Sequence, residues 1–244
     1  MIEVQSLHKR FGEVVAVDEV SFTAADGVVT GLLGPNGAGK TTTLRMLSTL
    51  IEPDRGAALV DGLVVAQHPM EARRRIGVLP DARGLYPRLT AREHVRYAGE
   101  LHGIPGRLLR PRIDELIELL DMRSIADRRA DGFSHGERVK VALARALVHE
   151  PRNVLLDEPT NGLDVMSTRA VRALVRRLRE QGRCVLFSSH VMQEVSALCD
   201  RIVIIARGRV LAQGTPEEIR AGAGKENLEE AFVSVIGSDQ GLVG

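Results

Sequence analysis

A chain of 244 residues, 44% of them hydrophobic, is long enough to bury a sizeable core in one large domain or in two lobes that share one. Its 33 Lys and Arg against 32 Asp and Glu leave a formal net charge of +1, so there is no global field to gather nucleic acid or anionic lipid, and any phosphate recognition is expected to be local. No apolar run approaches the ~18 residues of a membrane span, and "MIEVQSLHKRF" lacks the apolar core of a signal peptide, so a soluble chain is expected.

In chain order, the first ~27 residues read as short alternating segments of an antiparallel sheet. "VVTGLL" (28–33) is a continuous apolar strand, the kind buried on both faces of a parallel sheet, and a helix is expected to follow it over 41–50. From 89 to 130 there is no strand-like run. Thr90 and Glu93 form a capping-box pattern, "RYAGELHG" ends on Gly103, and "RIDELIELL" puts Ile113, Leu116, Ile117 and Leu120 on one face, so this segment reads as a helical insertion. A helix over 139–148 leads to a second buried strand, "NVLLD" (153–157), and a helix over 167–178 carries Val171, Leu174, Val175 and Leu178 at spacings of three and four. "RCVLFSS" (183–189) is a third buried strand. "RIVIIARGRVLAQG" (201–214) is a hairpin turning near Gly208, and Thr215, Pro216 and Glu218 then open a helix. Cys184 and Cys199 have neither metal-ligand nor CxxC spacing and read as buried thiols in a reducing compartment.

Two stretches carry chemistry. "GPNGAGKT" follows a strand and opens a helix, the context that gives the G-x-x-x-x-G-K-[ST] pattern its mechanism. Its glycines let the backbone from Gly34 through Pro35, Asn36, Gly37, Ala38 and Gly39 wrap a triphosphate. Lys40 then reaches the β and γ phosphates, the Thr41 hydroxyl takes a position on Mg2+, and Thr42 completes the turn. "VLLDEP" ends a buried strand with two acids at the edge where such a sheet holds its ligand. Asp157 can hold Mg2+ through water and Glu158 can polarise an attacking water, although two acids in that position are also a common start to a solvated loop.

"DGFSHGERVKVALARALVHEP" (131–151) poses a different question. Ser134 as a nucleophile with His135 as its base is one reading, but adjacent residues at a helix mouth rarely face each other. As an N-cap, Ser134 would instead leave the N–H groups of Gly136 and its neighbours to present a site for an anion.

These motifs together resemble the ATP-binding subunits of ABC transporters. "GPNGAGKT" stands as Walker A, "FSHGE" as the signature, "NVLLDEP" as Walker B, "TNGLD" as the D-loop and "SSH" as the switch, in the family's order and over nearly the whole chain. The resemblance implies an α/β fold: a P-loop NTPase with a mostly parallel central sheet, an N-terminal antiparallel β subdomain and a helical insertion. A single ABC ATPase domain would comprise an ATP-binding core (1–88 and 131–215), a helical subdomain (89–130) and a C-terminal helical tail (216–244). It further implies ATP and Mg2+ as cofactors, Glu158 and His190 as catalytic residues, and Asp164 in the D-loop. Ser134, His135, Gly136 and Glu137 would cap the γ-phosphate of ATP bound to a second, facing ATPase subunit. An integral membrane permease subunit would hold the chain at the cytoplasmic face of the cell membrane, with no nucleic-acid partner. More narrowly, "IGVLPDARGLYPRLTAREH" and "LLDEPTNGLDVMSTRA" resemble sodium-export ATPases of the NatA type, and "ENLEEAF" is common among related exporter ATPases.

Departures from the pattern matter. His135 and Glu137 replace the first glycine and the glutamine of the common LSGGQ form. Many members carry a glutamine that touches Mg2+ and signals to the membrane subunit where this chain has Asp81. Its carboxylate either reaches the metal through water or is an exposed turn residue beside Pro80. Phe11 in "KRFG" sits where the family stacks an aromatic ring on adenine; a small core phenylalanine is the other reading. Export of a drug, lipid or other small molecule is the alternative to sodium. A translation or repair ATPase would show tandem cassettes or a long coiled-coil insertion, and a P-loop kinase would have no use for the signature and switch motifs.

Overall fold

The computed structural model describes residues 1–81 and 84–240, with side chains as far as 237. The chain opens with β1 (Ile2–Phe11) and β2 (Val14–Ala24), an antiparallel pair. The strand β3 (Val29–Leu33) leads through the Gly-rich loop into α1 (Lys40–Leu47). Next come β4 (Arg55–Val60), β5 (Leu63–Val64), α2 (Pro69–Arg75) and β6 (Ile76–Leu79), none of which the sequence pattern marked. The insertion supplies α3 (Ala91–Leu101) and α4 (Gly106–Leu119). The second half runs α5 (His135–Leu147), β7 (Asn153–Asp157), α6 (Val165–Glu180), β8 (Cys184–Ser189), α7 (Met192–Leu198), β9 (Arg201–Ala206), β10 (Arg209–Gly214), α8 (Pro216–Ala223) and α9 (Leu228–Gln240).

Among the described residues the strands form two sheets, ordered β2-β1-β4-β5 and β10-β9-β3-β8-β7-β6. The first is antiparallel. The second is parallel from β9 to β6, with β10 added antiparallel as the expected hairpin. Every residue of β3, β7 and β8 is buried, which is why these strands read as unbroken apolar runs: helices cover one face and the antiparallel sheet with α1 covers the other. The two-residue alternation of a strand divides the core accordingly. Leu33, Val154, Leu156 and Phe187 join the cluster that includes the insertion, α5 and α6, whereas Leu32, Leu155 and Leu186 join the cluster under the antiparallel sheet. The insertion therefore has no core of its own, since Val95, Leu109, Ile113 and Leu116 belong to the same cluster as Val139 and Leu143.

The local signals have physical counterparts. The Thr90–Glu93 and Thr215–Glu218 capping boxes form in both directions. On α6 the four spaced apolar residues are the buried face. Burial pushes the Cys184 thiol up to about 12 and the Cys199 thiol higher still, leaving both inert as packing groups. None of the described helices is long and apolar enough to cross a membrane.

Candidate active site

The carboxyl ends of β3, β7 and β8 bring three loops together. After β3 the backbone has to take conformations that only glycine tolerates well. Gly37 and Gly39 have φ of 78° and 104°, and a Cβ on Gly39 would lie 2.5 Å from the Ala16 carbonyl oxygen. Gly34 is needed for close packing instead, because a Cβ there would sit 2.1 Å from the Ile205 carbonyl oxygen. The loop feeds the N-terminus of α1, where Lys40 is 6% exposed and its Nζ donates to the carbonyls of Gly34 (2.7 Å) and Pro35 (3.1 Å).

Glu158 is where the loops meet. Its Oε1 lies 3.4 Å from Lys40 Nζ and its Oε2 lies 2.9 Å from His190 Nδ1. It sits at φ 46°, a left-handed conformation that costs a residue with a Cβ of order 1 kcal/mol or more. The surroundings hold it there: its N–H donates to Ser188 Oγ (3.0 Å), and the same hydroxyl donates to Asp157 Oδ1 (2.6 Å). Ser188 thus spaces the two acids, with Asp157 nearly buried and Glu158 turned toward the loop.

These groups surround a cavity of about 630 Å3 lined by Ala16, residues 36–42, Asp81, Glu158, Asn161 and His190. The donor set suits a nucleotide triphosphate with Mg2+. A positive-φ backbone cradle, a buried ammonium and a helix N-terminus meet an anion, while the Thr41 hydroxyl and the Asp81 carboxylate line the cavity as oxygen ligands of the kind Mg2+ takes; Asp157, buried with its Oδ1 accepting from Ser188, does not line it. Among the described residues no three His, Cys, Asp or Glu side chains gather as a metal cage.

The structure brings together Asn36, Gly37, Ala38, Gly39, Lys40, Thr41, Thr42, Asp81, Glu158 and His190 around one cavity. It places others apart. Phe11 is 48% exposed at the end of β1, with Lys9 Nζ 5.6 Å from its ring centroid; it is not a core residue and does not line the cavity. Ser134, His135, Gly136 and Glu137 also lie off the cavity lining. Ser134 caps α5, and a reciprocal box forms in which Ser134 Oγ accepts from Glu137 N–H (3.2 Å) and Glu137 Oε2 accepts from Ser134 N–H (2.7 Å). That N–H, with Arg128 at 3.1 Å, holds the Glu137 carboxyl below its ordinary range against the effect of burial. No Ser134–His135 catalytic pair forms, because His135 Nε2 points to the Asn161 carbonyl (2.9 Å) and Ser134 Oγ to the helix start. Asp164 caps α6, accepting from Ser167 N–H (2.9 Å) and Ser167 Oγ (2.8 Å), and Gly136 lets the two helix starts approach: a Cβ there would be 2.8 Å from Ser167 Oγ. Sequence reasoning missed Ala16, which carries no motif signal, Asn161, which stands in "TNGLD" without a role of its own, and Ser188, which "SSH" displays without indicating which acid it serves.

The ABC transporter family model matches residues 17–161. The ABC transporter ATP-binding protein NatA of Bacillus subtilis (strain 168) is 43% identical over 97% of this chain and 98% of its own. The linearmycin resistance ATP-binding protein LnrL of the same organism is 35% identical over 97% of this chain and 76% of its own. A solved dimeric ATP-binding cassette in a post-hydrolysis state, bound to ADP and Pi, superposes with a TM-score of 0.80 at 26% identity, covering 88% of this chain and 98% of that one. The chain belongs to the ABC transporter ATP-binding proteins. It is an ABC-type ATPase that uses ATP and Mg2+.

Proposed function

We propose that this chain is the ATP-hydrolysing subunit of a membrane exporter and works as a homodimer on an integral membrane permease at the cytoplasmic face of the cell membrane. The convergence of Lys40, Glu158 and His190 on one carboxylate carries the catalytic part of the reading. Glu158 is the general base that polarises the attacking water, and His190 orients that base and meets the γ-phosphate. Lys40 and the N–H groups of 36–42 hold the phosphates. ATP brings the phosphoryl group whose anhydride bond is broken, and Thr41, Asp157 and Asp81 are the chain's oxygen donors toward Mg2+. Phe11 offers its exposed ring to the adenine. Residues 1–88 and 131–215 act as the ATP-binding core, 89–130 as the helical subdomain and 216–244 as the tail.

Two observations support the partners. The signature at the start of α5 does not line the nucleotide cavity of its own chain, so Ser134 O–H and Gly136 N–H are left to serve a facing subunit, with His135 and Glu137 bracing the helix start. A second cavity, about 670 Å3, opens between the core and the insertion and presents Arg73, Arg74 and Arg145 beside Met70 and Leu101. Pro80 lines it while its neighbour Asp81 lines the nucleotide cavity, so two adjacent residues border the two spaces, as a route from ATP to a docked permease requires.

Sodium efflux is the transport reading that the resemblance to NatA-type sodium-export ATPases favours; the similarity to the linearmycin resistance protein favours export of a drug or other small molecule. Reconstitution with the membrane protein encoded beside it tests both. Stimulation of ATP hydrolysis by Na+ and not by hydrophobic drugs supports the first, the reverse supports the second, and failure to copurify with any membrane protein overturns the exporter reading.

A further inference from the structure

Glu194 is a carboxylate that the catalytic scheme does not use, and it is 8% exposed. It lies in the first turn of α7, and that helix is pressed onto β3 at a point where a side chain is excluded: a Cβ on Gly31 would lie 2.6 Å from Cys199 Sγ and 3.1 Å from Val195 Cγ1. The packing therefore fixes where Glu194 points. Its Oε2 accepts from two buried hydroxyls, Thr160 Oγ1 and, at 3.3 Å, Ser189 Oγ. Ser189 Oγ in turn accepts from Val191 N–H at 2.9 Å, so this hydroxyl closes the turn that carries His190. Thr160 stands two residues after Glu158, inside consecutive turns closed by Asn161 N–H to the Glu158 carbonyl (3.2 Å) and Leu163 N–H to the Thr160 carbonyl (3.1 Å).

One oxygen thus ties the segment that bears Glu158 to the segment that bears His190. A buried carboxylate is a costly way to fill space unless its hydrogen bonds set a geometry, since an apolar side chain would pack there without desolvation. We infer that Glu194 is a positioning residue for ATP hydrolysis, setting the separation between Glu158 and His190 through Thr160 and Ser189. The inference rests on the proposed roles of Glu158 and His190. The two hydroxyls that Glu194 accepts from, Thr160 and Ser189, do not line the nucleotide cavity, so its effect belongs on turnover and not on ATP affinity.

Steady-state ATPase assays on the full chain test this with Glu194→Ala, Glu194→Gln, Thr160→Val and Ser189→Ala, each with its thermal midpoint. Glu194→Ala is expected to lower kcat about 10- to 100-fold with KM for MgATP within about threefold of the parent. Glu194→Gln keeps an oxygen that accepts both hydroxyls and should recover kcat to within about threefold. Adding Glu194→Ala to the Thr160→Val/Ser189→Ala chain should cost little more, because the route is already cut. The inference is overturned by a kcat for Glu194→Ala within twofold of the parent, by no recovery with Gln, or by kcat and KM worsening together in step with the thermal midpoint. If Glu194→Ala does not fold, the single hydroxyl variants decide: each should lower kcat at unchanged KM, and unchanged kcat in both overturns the inference. Glu158→Gln assayed alongside separates the two readings, since full turnover in that variant removes the proposed base, whereas its loss with an unaffected Glu194→Ala removes only the positioning role.

Discussion

Replacing Glu158 by Gln removes one charge from a site where Lys40 and His190 are among its neighbours and the backbone is strained. The Lys40 ammonium is 3.4 Å away, with both side chains at most 12% exposed, and at an effective dielectric constant near 20 their attraction is about 5 kcal/mol, offset in large part by the desolvation of both groups. That attraction competes with phosphate for Lys40. The amide relieves the competition while keeping size and the contact toward His190, so the dissociation constant for MgATP should stay within about threefold of the parent or become tighter. Hydrolysis should fall by about 100-fold or more, the usual contribution of a general base. The assay pairs equilibrium binding of a fluorescent ATP analogue with single-turnover phosphate release. A Glu158→Gln chain that turns over within tenfold of the parent, or that loses ATP affinity along with turnover, would refute the assignment.

Lys40→Ala should weaken ATP binding itself by at least tenfold, because a buried ammonium that the P-loop carbonyls hold in place is removed from the phosphate site; unchanged affinity in the same titration counts against it. Asp81→Asn should shift the Mg2+ dependence of hydrolysis and leave Mg2+-free nucleotide binding alone, while a superimposable Mg2+ titration marks Asp81 as a turn residue. Stability should depend on pH through His149. Burial, reinforced by the charges of His102, stacked on it at 3.6 Å, and of Arg183 and Arg112, lowers it from 6.5 to about 4. The unfolded chain therefore takes up a proton first, so stability is full above pH 6.5 and is lost as pH falls toward 4, by about 1–3 kcal/mol after allowance for partial exposure; His94 and His102, also lowered by burial, act in the same direction. Urea titrations at pH 7.5, 6 and 5 should show the decline, and His149→Gln should flatten it.

What the sequence reveals follows from how local each signal is. The strands at 28–33, 153–157 and 183–189 are legible because burial on both faces fills their centres with consecutive apolar residues, and the P-loop because its glycines answer to fixed backbone angles. Four-residue β6 and two-residue β5 are too short to show a period, and α2, with three arginines in its last turn and only Ala72 buried, shows no apolar stripe. The Ser134–Glu137 box is written plainly as S-x-x-E, yet Glu137 invites comparison with a glutamine and conceals its capping role. His135 reaching Asn161 and Glu194 reaching Thr160 span 26 and 34 residues, and only the packing of α5 and α7 on the sheet brings them together. No local pattern distinguishes Glu194 from an exposed helix acid, because its partners Thr160 and Ser189 come from other segments, and Gly31 of β3 is what lets α7 pack close to the sheet.

The arrangement of α5 makes one further demand. Its first turn holds Ser134 and Gly136 outside the cavity that the same chain builds around Lys40, and the box with Glu137 occupies the N–H of Ser134 and of Glu137, leaving the Ser134 O–H and the Gly136 N–H as donors for an anion. A γ-phosphate held by one chain can meet those donors only if a second chain presents them, and two-fold symmetry then completes both sites at once. Specific activity should accordingly rise with protein concentration until the dimer saturates. Glu158→Gln with MgATP should shift light scattering to twice the monomer mass. The ADP form should stay monomeric, having no γ-phosphate to bridge. Ser134→Arg in the Glu158→Gln background should abolish the shift by placing bulk at the phosphate edge, while ATP affinity of the monomer stays within about threefold because the P-loop is untouched. A Glu158→Gln chain that remains monomeric in saturating MgATP, together with parental activity independent of concentration, would rule out completion of the site by a second chain.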